Sequence, residues 1–177
     1  VVTVGATDIT DPIVKANIQM RKGPYLDVTK ISTATLKGIY NQDVNGLVIC
    51  DEFPRIAVTG TGKRIGPPVL YYKANVSSMM NPEVVNGVPT AIPNTTDNTT
   101  YIYNYLDNDV IVSYTPPFGG TNPMAGAAGA GKFYTAIQNT KIASPPKPFN
   151  PDTFILISAG PDNLYGTRDD VFNFVKD

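Results

Sequence analysis

The sequence predicts an α+β domain made mostly of strand and loop, and three observations carry that expectation: which acids it uses, how often glycine and proline interrupt it, and two dense runs of β-branched and aromatic residues. Of the 15 acidic residues only Glu52 and Glu83 are glutamates. Aspartate competes for backbone hydrogen bonds and favours caps and turns, whereas glutamate is a good helix former, so most carboxylates belong in loops. The 15 glycines and 16 prolines add frequent breaks. At 177 residues with 42% apolar content, the chain suits one domain spanning 1–177 with a core of its own.

Taken in order, residues 8–22 begin with cap-type residues and Pro12, then place Ile13, Ala16, Ile18 and Met20 in a loosely helical pattern that Gly23-Pro24 ends. This reads as a short helix. Residues 25–40 set Leu26, Val28, Ile31 and Leu36 among threonines, a pattern open to helix or extended chain. Residues 44–50 and 55–59 read as short strands around the acidic turn Asp51-Glu52. The run 67–73, proline-led and then aromatic and β-branched, has the character of a first or edge strand.

Residues 77–100 are rich in Asn, Thr, Ser, Pro and Gly without periodicity, the signature of an exposed insertion. Residues 101–105 and 109–114, separated by Leu106-Asp107-Asn108, predict a hairpin. The uncharged Gly/Ala-rich stretch 116–131 predicts a loop, and 132–139 a short helix turning Phe133, Tyr134 and Ile137 inward. A proline-rich connector, 144–152, then leads to the strongest strand, residues 153–158.

Several functions are disfavoured by composition. With 14 basic residues spread along the chain against 15 acidic ones, no basic patch marks a phosphate backbone, so nucleic acid is not an expected partner. The absence of histidine and the single cysteine, Cys50, remove the usual zinc, copper and iron ligands and the commonest general base. Cys50 sits in the apolar run Leu47-Val48-Ile49 and reads as a small buried hydrophobe. The pair Gly131-Lys132 lacks both the first glycine and the following Ser or Thr of a phosphate-binding loop. No window approaches the roughly 18 apolar residues of a membrane span. Asn-x-Ser/Thr triplets at Asn75, Asn94 and Asn98 are expected by chance in a chain this rich in Asn and Thr.

The most informative segment follows the last strand. Between Ser158 and Val171 the carboxylates of Asp162, Asp169 and Asp170 gather in a loop punctuated by Gly160 and Gly166. Carboxylates held close repel one another unless a cation, hydrogen bonds or solvent offsets them. Oxygen-rich loops of this kind satisfy calcium's six to eight ligands, with the glycines letting carbonyls turn inward. This is not the EF-hand pattern and has no terminal bidentate glutamate, so an ordinary solvated turn around Pro161-Asp162-Asn163 is an equal reading of the same residues. Acid–base catalysis by the paired aspartates is disfavoured, since no partnered nucleophile is in sight and neighbours on extended chain point apart.

Three stretches together resemble the pseudopilins of type II secretion systems, the major G-type above all, and related prepilin-like proteins. They are Gly23-Pro24-Tyr25-Leu26-Asp27; the turn Asp51-Glu52-Phe53 leading to Pro68-Val69-Leu70-Tyr71-Tyr72-Lys73-Ala74-Asn75; and, most specific, residues 154–174 (FILISAGPDNLYGTRDDVFNF). The resemblance covers about a third of the chain. It implies a pilin-like domain, an N-terminal helix remnant packed on an antiparallel sheet, with a calcium loop at 158–171. The implied ligands are the side chains of Asp162, Thr167, Asp169 and Asp170, with main-chain oxygens from Ala159 or Leu164 and from Val171. It departs in two places: the family's long apolar N-terminal helix is absent, which reads as truncation, and residues 77–131 have no counterpart, which reads as an insertion.

The function implied is structural. Such a subunit is not an enzyme; it self-associates with other pseudopilins in a short periplasmic filament that supports protein export, held at the inner membrane through the missing helix, with no small-molecule substrate. A type IV pilin or minor pseudopilin is the neighbouring reading. A secreted adhesin or carbohydrate-binding module, using the loop and Tyr101, Tyr103 and Tyr105, is the alternative of another class.

Overall fold

In the computed structural model, residues 32–41, 46–53, 56–90, 100–117, 119–142 and 144–175 are described. The expected helix over 8–22, the stretch Gly23 to Asp27, and Asn94 and Asn98 lie outside them. Described residues form a mixed helix and sheet structure with small antiparallel sheets, in keeping with the α+β expectation.

Strand β1 (Ser32–Thr35) pairs with β2 (Leu47–Cys50), Ser32 opposite Cys50 and Thr35 opposite Leu47. Between them lies the five-residue helix α1 (Leu36–Tyr40). Thr35 caps it, its hydroxyl accepting from the Gly38 N–H at 3.1 Å, and Asn41 in the left-handed region closes it. The segment 25–40, open between helix and strand, thus uses both over its described part. A two-residue hairpin, β3 (Ile56–Ala57) with β4 (Arg64–Ile65), buries Ile56 and Ile65 against Cys50, Ala34 and Ile39. Cys50 is the buried hydrophobe its sequence context predicts, and burial pushes its thiol pKa up to about 11.

Strand β5 (Leu70–Lys73) runs antiparallel to β8 (Phe154–Ser158), Leu70 opposite Ile157 and Lys73 opposite Phe154, and β8 pairs in turn with β9 (Val171–Phe172). Both expected strands at 67–73 and 153–158 are therefore present. A bridge from Cys50 to Pro68, flanked by Val69 N–H to Ile49 O at 2.8 Å, ties the first sheet to the edge of β5. Alternation then sorts the side chains: Leu70, Tyr72, Ile155 and Ile157 are buried, while Tyr71 and Phe154 lie exposed on the other face with ring centroids 5.8 Å apart. Leu47 and Ile49 of β2 are exposed as well.

The stretch from 77 to 137 corrects two expectations and adds a pair of short strands. A small hairpin, β6 (Val84–Val85) with β7 (Val88–Pro89), forms within 77–100, turning on Asn86 and Gly87, which both have positive φ. Residues 101–114 are not a β-hairpin: Tyr105–Asn108 form a 3₁₀ turn that runs into α2 (Asp109–Val112). Asn104 caps the turn, its Oδ1 accepting from the Leu106 N–H, and Tyr101, Ile102 and Tyr103 are all buried in succession. A half-exposed strand cannot bury three consecutive residues, so contacts on both sides override the local pattern.

Residues 126–131 belong to helix α3 (Gly126–Ile137), not to a loop; the helix expected at 132–139 starts earlier and ends sooner. Its Gly/Ala half lies against the β6–β7 hairpin, and its other half sends Phe133, Tyr134 and Ile137 into the core, as expected. Phe133 meets Tyr72 of β5 with centroids 4.5 Å apart. The main core thus joins the β5–β8 sheet to Ile102, Tyr103, Tyr105, Ile111, Val112, Met124 and Phe133 from the 100–137 stretch. Among the described residues no helix is long and apolar enough to cross a membrane.

Candidate functional site

The loop 159–170 is closed at its base by the β8–β9 ladder, whose last pair sets Ser158 opposite Val171. The apolar strand residues Ile155 and Ile157 enter the core and hold that base in place. Above it, Gly160 (φ 60°), Asn163 (φ 65°) and Gly166 (φ 95°) take left-handed conformations that fold the chain back on itself. At Gly160 glycine is required twice over, because a Cβ there would lie 2.2 Å from the Asp169 carbonyl oxygen.

That folding brings three of the anticipated oxygen donors into one network. The Asp162 carboxylate accepts from the Leu164 N–H at 2.8 Å, while the Asp162 N–H donates to Asp169 Oδ2 at 3.0 Å across the loop. The other Asp169 oxygen accepts from the Thr167 hydroxyl, which also lies 3.3 Å from the Leu164 carbonyl oxygen. The Thr167 hydrogen bond and those from Asp162 hold the Asp169 carboxyl below the usual carboxylate range.

Asp170 differs. One of its oxygens accepts from the Gly166 N–H at 2.8 Å, and the other, Oδ1, is buried without a donor. Burial, with the negative charges of Asp162 and Asp169 adding to it, pushes its carboxyl up to about 7. Asp170 is thus a half-buried carboxyl in the same loop as two other aspartates, with one oxygen that no N–H satisfies.

Of the main-chain donors anticipated, Leu164 faces the network through its carbonyl, and Ala159 and Val171 stand at the two ends of the loop. Among the described residues no three His, Cys, Asp or Glu side chains group closely enough to hold a metal ion by themselves. Any ion here would draw on the Thr167 hydroxyl and backbone carbonyls as well as carboxylates, a mixture suited to calcium and ill suited to softer metals.

Sequence reasoning missed the residues that support the loop. Tyr165 is buried, its hydroxyl donating to the Pro68 carbonyl, its N–H to Asn122 Oδ1 at 3.1 Å, and its carbonyl accepting from the Met124 N–H at 3.1 Å. An aromatic residue in the middle of a polar loop was the available signal for such an anchor. Tyr101, Tyr103 and Tyr105, which the carbohydrate-binding alternative adds to the loop, are all buried. Compared with protein-family models, curated proteins and solved structures, the chain finds no match in any of the three.

Proposed function

We propose that this chain is the globular part of a non-catalytic pilin-like subunit, a type II secretion pseudopilin or a close prepilin-like relative, whose 158–171 loop binds calcium. The observation that carries the reading is the closed β8–β9 loop in which Asp162, Thr167 and Asp169 share hydrogen bonds beside Asp170, whose buried Oδ1 lacks a donor. Calcium would supply charge neutralisation there, with Asp162, Thr167, Asp169 and Asp170 as side-chain ligands and main-chain oxygens of Ala159 or Leu164 and of Val171 completing the set. The role of the ion is to keep the loop rigid for contacts between subunits.

In this reading the subunit packs with its own kind, and with other pseudopilins, in a periplasmic filament anchored in the inner membrane. The exposed apolar side chains Leu47, Ile49, Tyr71 and Phe154, opposite the core face, favour such packing. The test is thermal melting and titration calorimetry of the purified chain with calcium, magnesium and chelator. A melting temperature raised by calcium over magnesium, lost on chelation and absent in Asp169→Asn, supports the reading. Melting that ignores calcium at millimolar concentration sinks it.

A further inference from the structure

We propose that the turn 120–126, centred on Asn122, is a positioning clamp that couples the 158–171 loop to the helical layer, so that cation binding and the packing of α2 and α3 strengthen each other. This rests on the cation reading of the loop. The clamp itself is plain geometry.

Among the described residues Asn122 is one of four buried polar side chains, 3% exposed, and both ends of its amide are used. Its Oδ1 accepts from the Tyr165 N–H at 3.1 Å, and its Nδ2 donates to the Val112 carbonyl at 2.8 Å, at the C-terminal end of α2. Two residues on, the Met124 N–H donates to the Tyr165 carbonyl, so that both backbone groups of Tyr165 are held by the same short turn. A primary amide carries its acceptor and its donors on different atoms, which lets Asn122 serve both partners at once.

Steric contacts repeat the link. A Cβ on Gly166 would lie 2.9 Å from the Met124 backbone nitrogen, and one on Gly129 of α3 would lie 2.0 Å from the Met124 carbonyl oxygen. Met124 is therefore wedged between the loop and the first turns of α3, with its side chain in the core. The ligand candidates Thr167, Asp169 and Asp170 begin one residue after Gly166, so their placement relative to Asp162 is set by where the clamp holds Tyr165 and Gly166.

Holding mutually repelling carboxylates in place before the ion arrives lowers the ordering cost of binding, and linkage requires the effect to be reciprocal. Whatever factor the clamp adds to ion affinity, the ion returns to the stability of the clamped elements.

The experiment uses the full chain and calcium chloride. In titration calorimetry Asn122→Ala should bind calcium at least tenfold more weakly than wild type, whereas Asn139→Ala, a substitution outside the clamp, should bind as wild type does. Hydrogen exchange of the wild-type chain should show calcium slowing amides of 109–114 and 124–134 as well as those of 160–171; this readout stands even if Asn122→Ala does not fold. Calcium binding by the wild type with exchange slowed only within 158–175, or Asn122→Ala affinity within twofold of wild type, overturns the clamp and leaves the cation reading intact. A wild-type chain that binds no calcium overturns both.

Discussion

The carbonyl oxygen of Gly87, in the β6–β7 turn, lies so close over Gly131 of α3 that a Cβ on Gly131 would approach it to 1.8 Å. Helix propensity alone favours replacing Gly131 by alanine, by about 1 kcal/mol. The contact reverses that sign. Gly131→Ala should destabilise the chain by about 1–3 kcal/mol, because hairpin and helix must separate to admit the methyl group. Urea denaturation measures it, and a stabilised variant would show that the two elements do not touch as described.

Gly160 and Gly60 both have positive φ, but their surroundings differ. A Cβ at Gly60 meets nothing within 4 Å, whereas at Gly160 it meets the Asp169 carbonyl. Gly60→Ala should cost about 1 kcal/mol for backbone strain alone. Gly160→Ala adds a backbone clash and should cost about 3 kcal/mol or more, with loss of calcium-dependent melting. Equal losses at the two positions would contradict the folded loop.

Asp170 predicts a pH dependence in chelator. Its carboxyl titrates at about 7 in the folded chain against an ordinary value of 3.8, because burial disfavours the charged form. Between those values the folded chain keeps a proton that the unfolded chain has released, so the contribution of Asp170 to stability falls as pH rises through the window and levels off above it. Asp170→Asn, neutral throughout, should therefore gain in melting temperature relative to wild type between pH 4.5 and 7.5. A difference between the two proteins that is constant with pH would refute the assignment.

Phe133 is fully buried against Tyr72, with Tyr134 edge-on at 5.1 Å. Its truncation to alanine should cost about 3–5 kcal/mol. Since Tyr72 belongs to the sheet and Phe133 to α3, the loss should appear in one cooperative transition. A separate early melt of the helical layer, seen in far-ultraviolet circular dichroism ahead of tyrosine fluorescence, would count against a shared core.

Much of this protein was legible along the chain. The strands at 70–73 and 154–158 follow from dense β-branched and aromatic runs, the burial of Cys50 from its apolar neighbours, and the oxygen-rich loop from three aspartates close to two glycines. These are local signals, carried by residue type and spacing within a few positions. Tertiary structure alone decided that Tyr105 to Val112 turn as helix, that the Gly/Ala run belongs to α3, and that Asn122 holds Tyr165. In each case the deciding contact spans many residues: Asn108 to Tyr71 O, Gly131 to Gly87, Asn122 to Tyr165 N–H. Alternation and composition describe a segment's own preferences. Burial on two sides, and the demand that every buried amide find a partner, depend on what the rest of the chain places beside it.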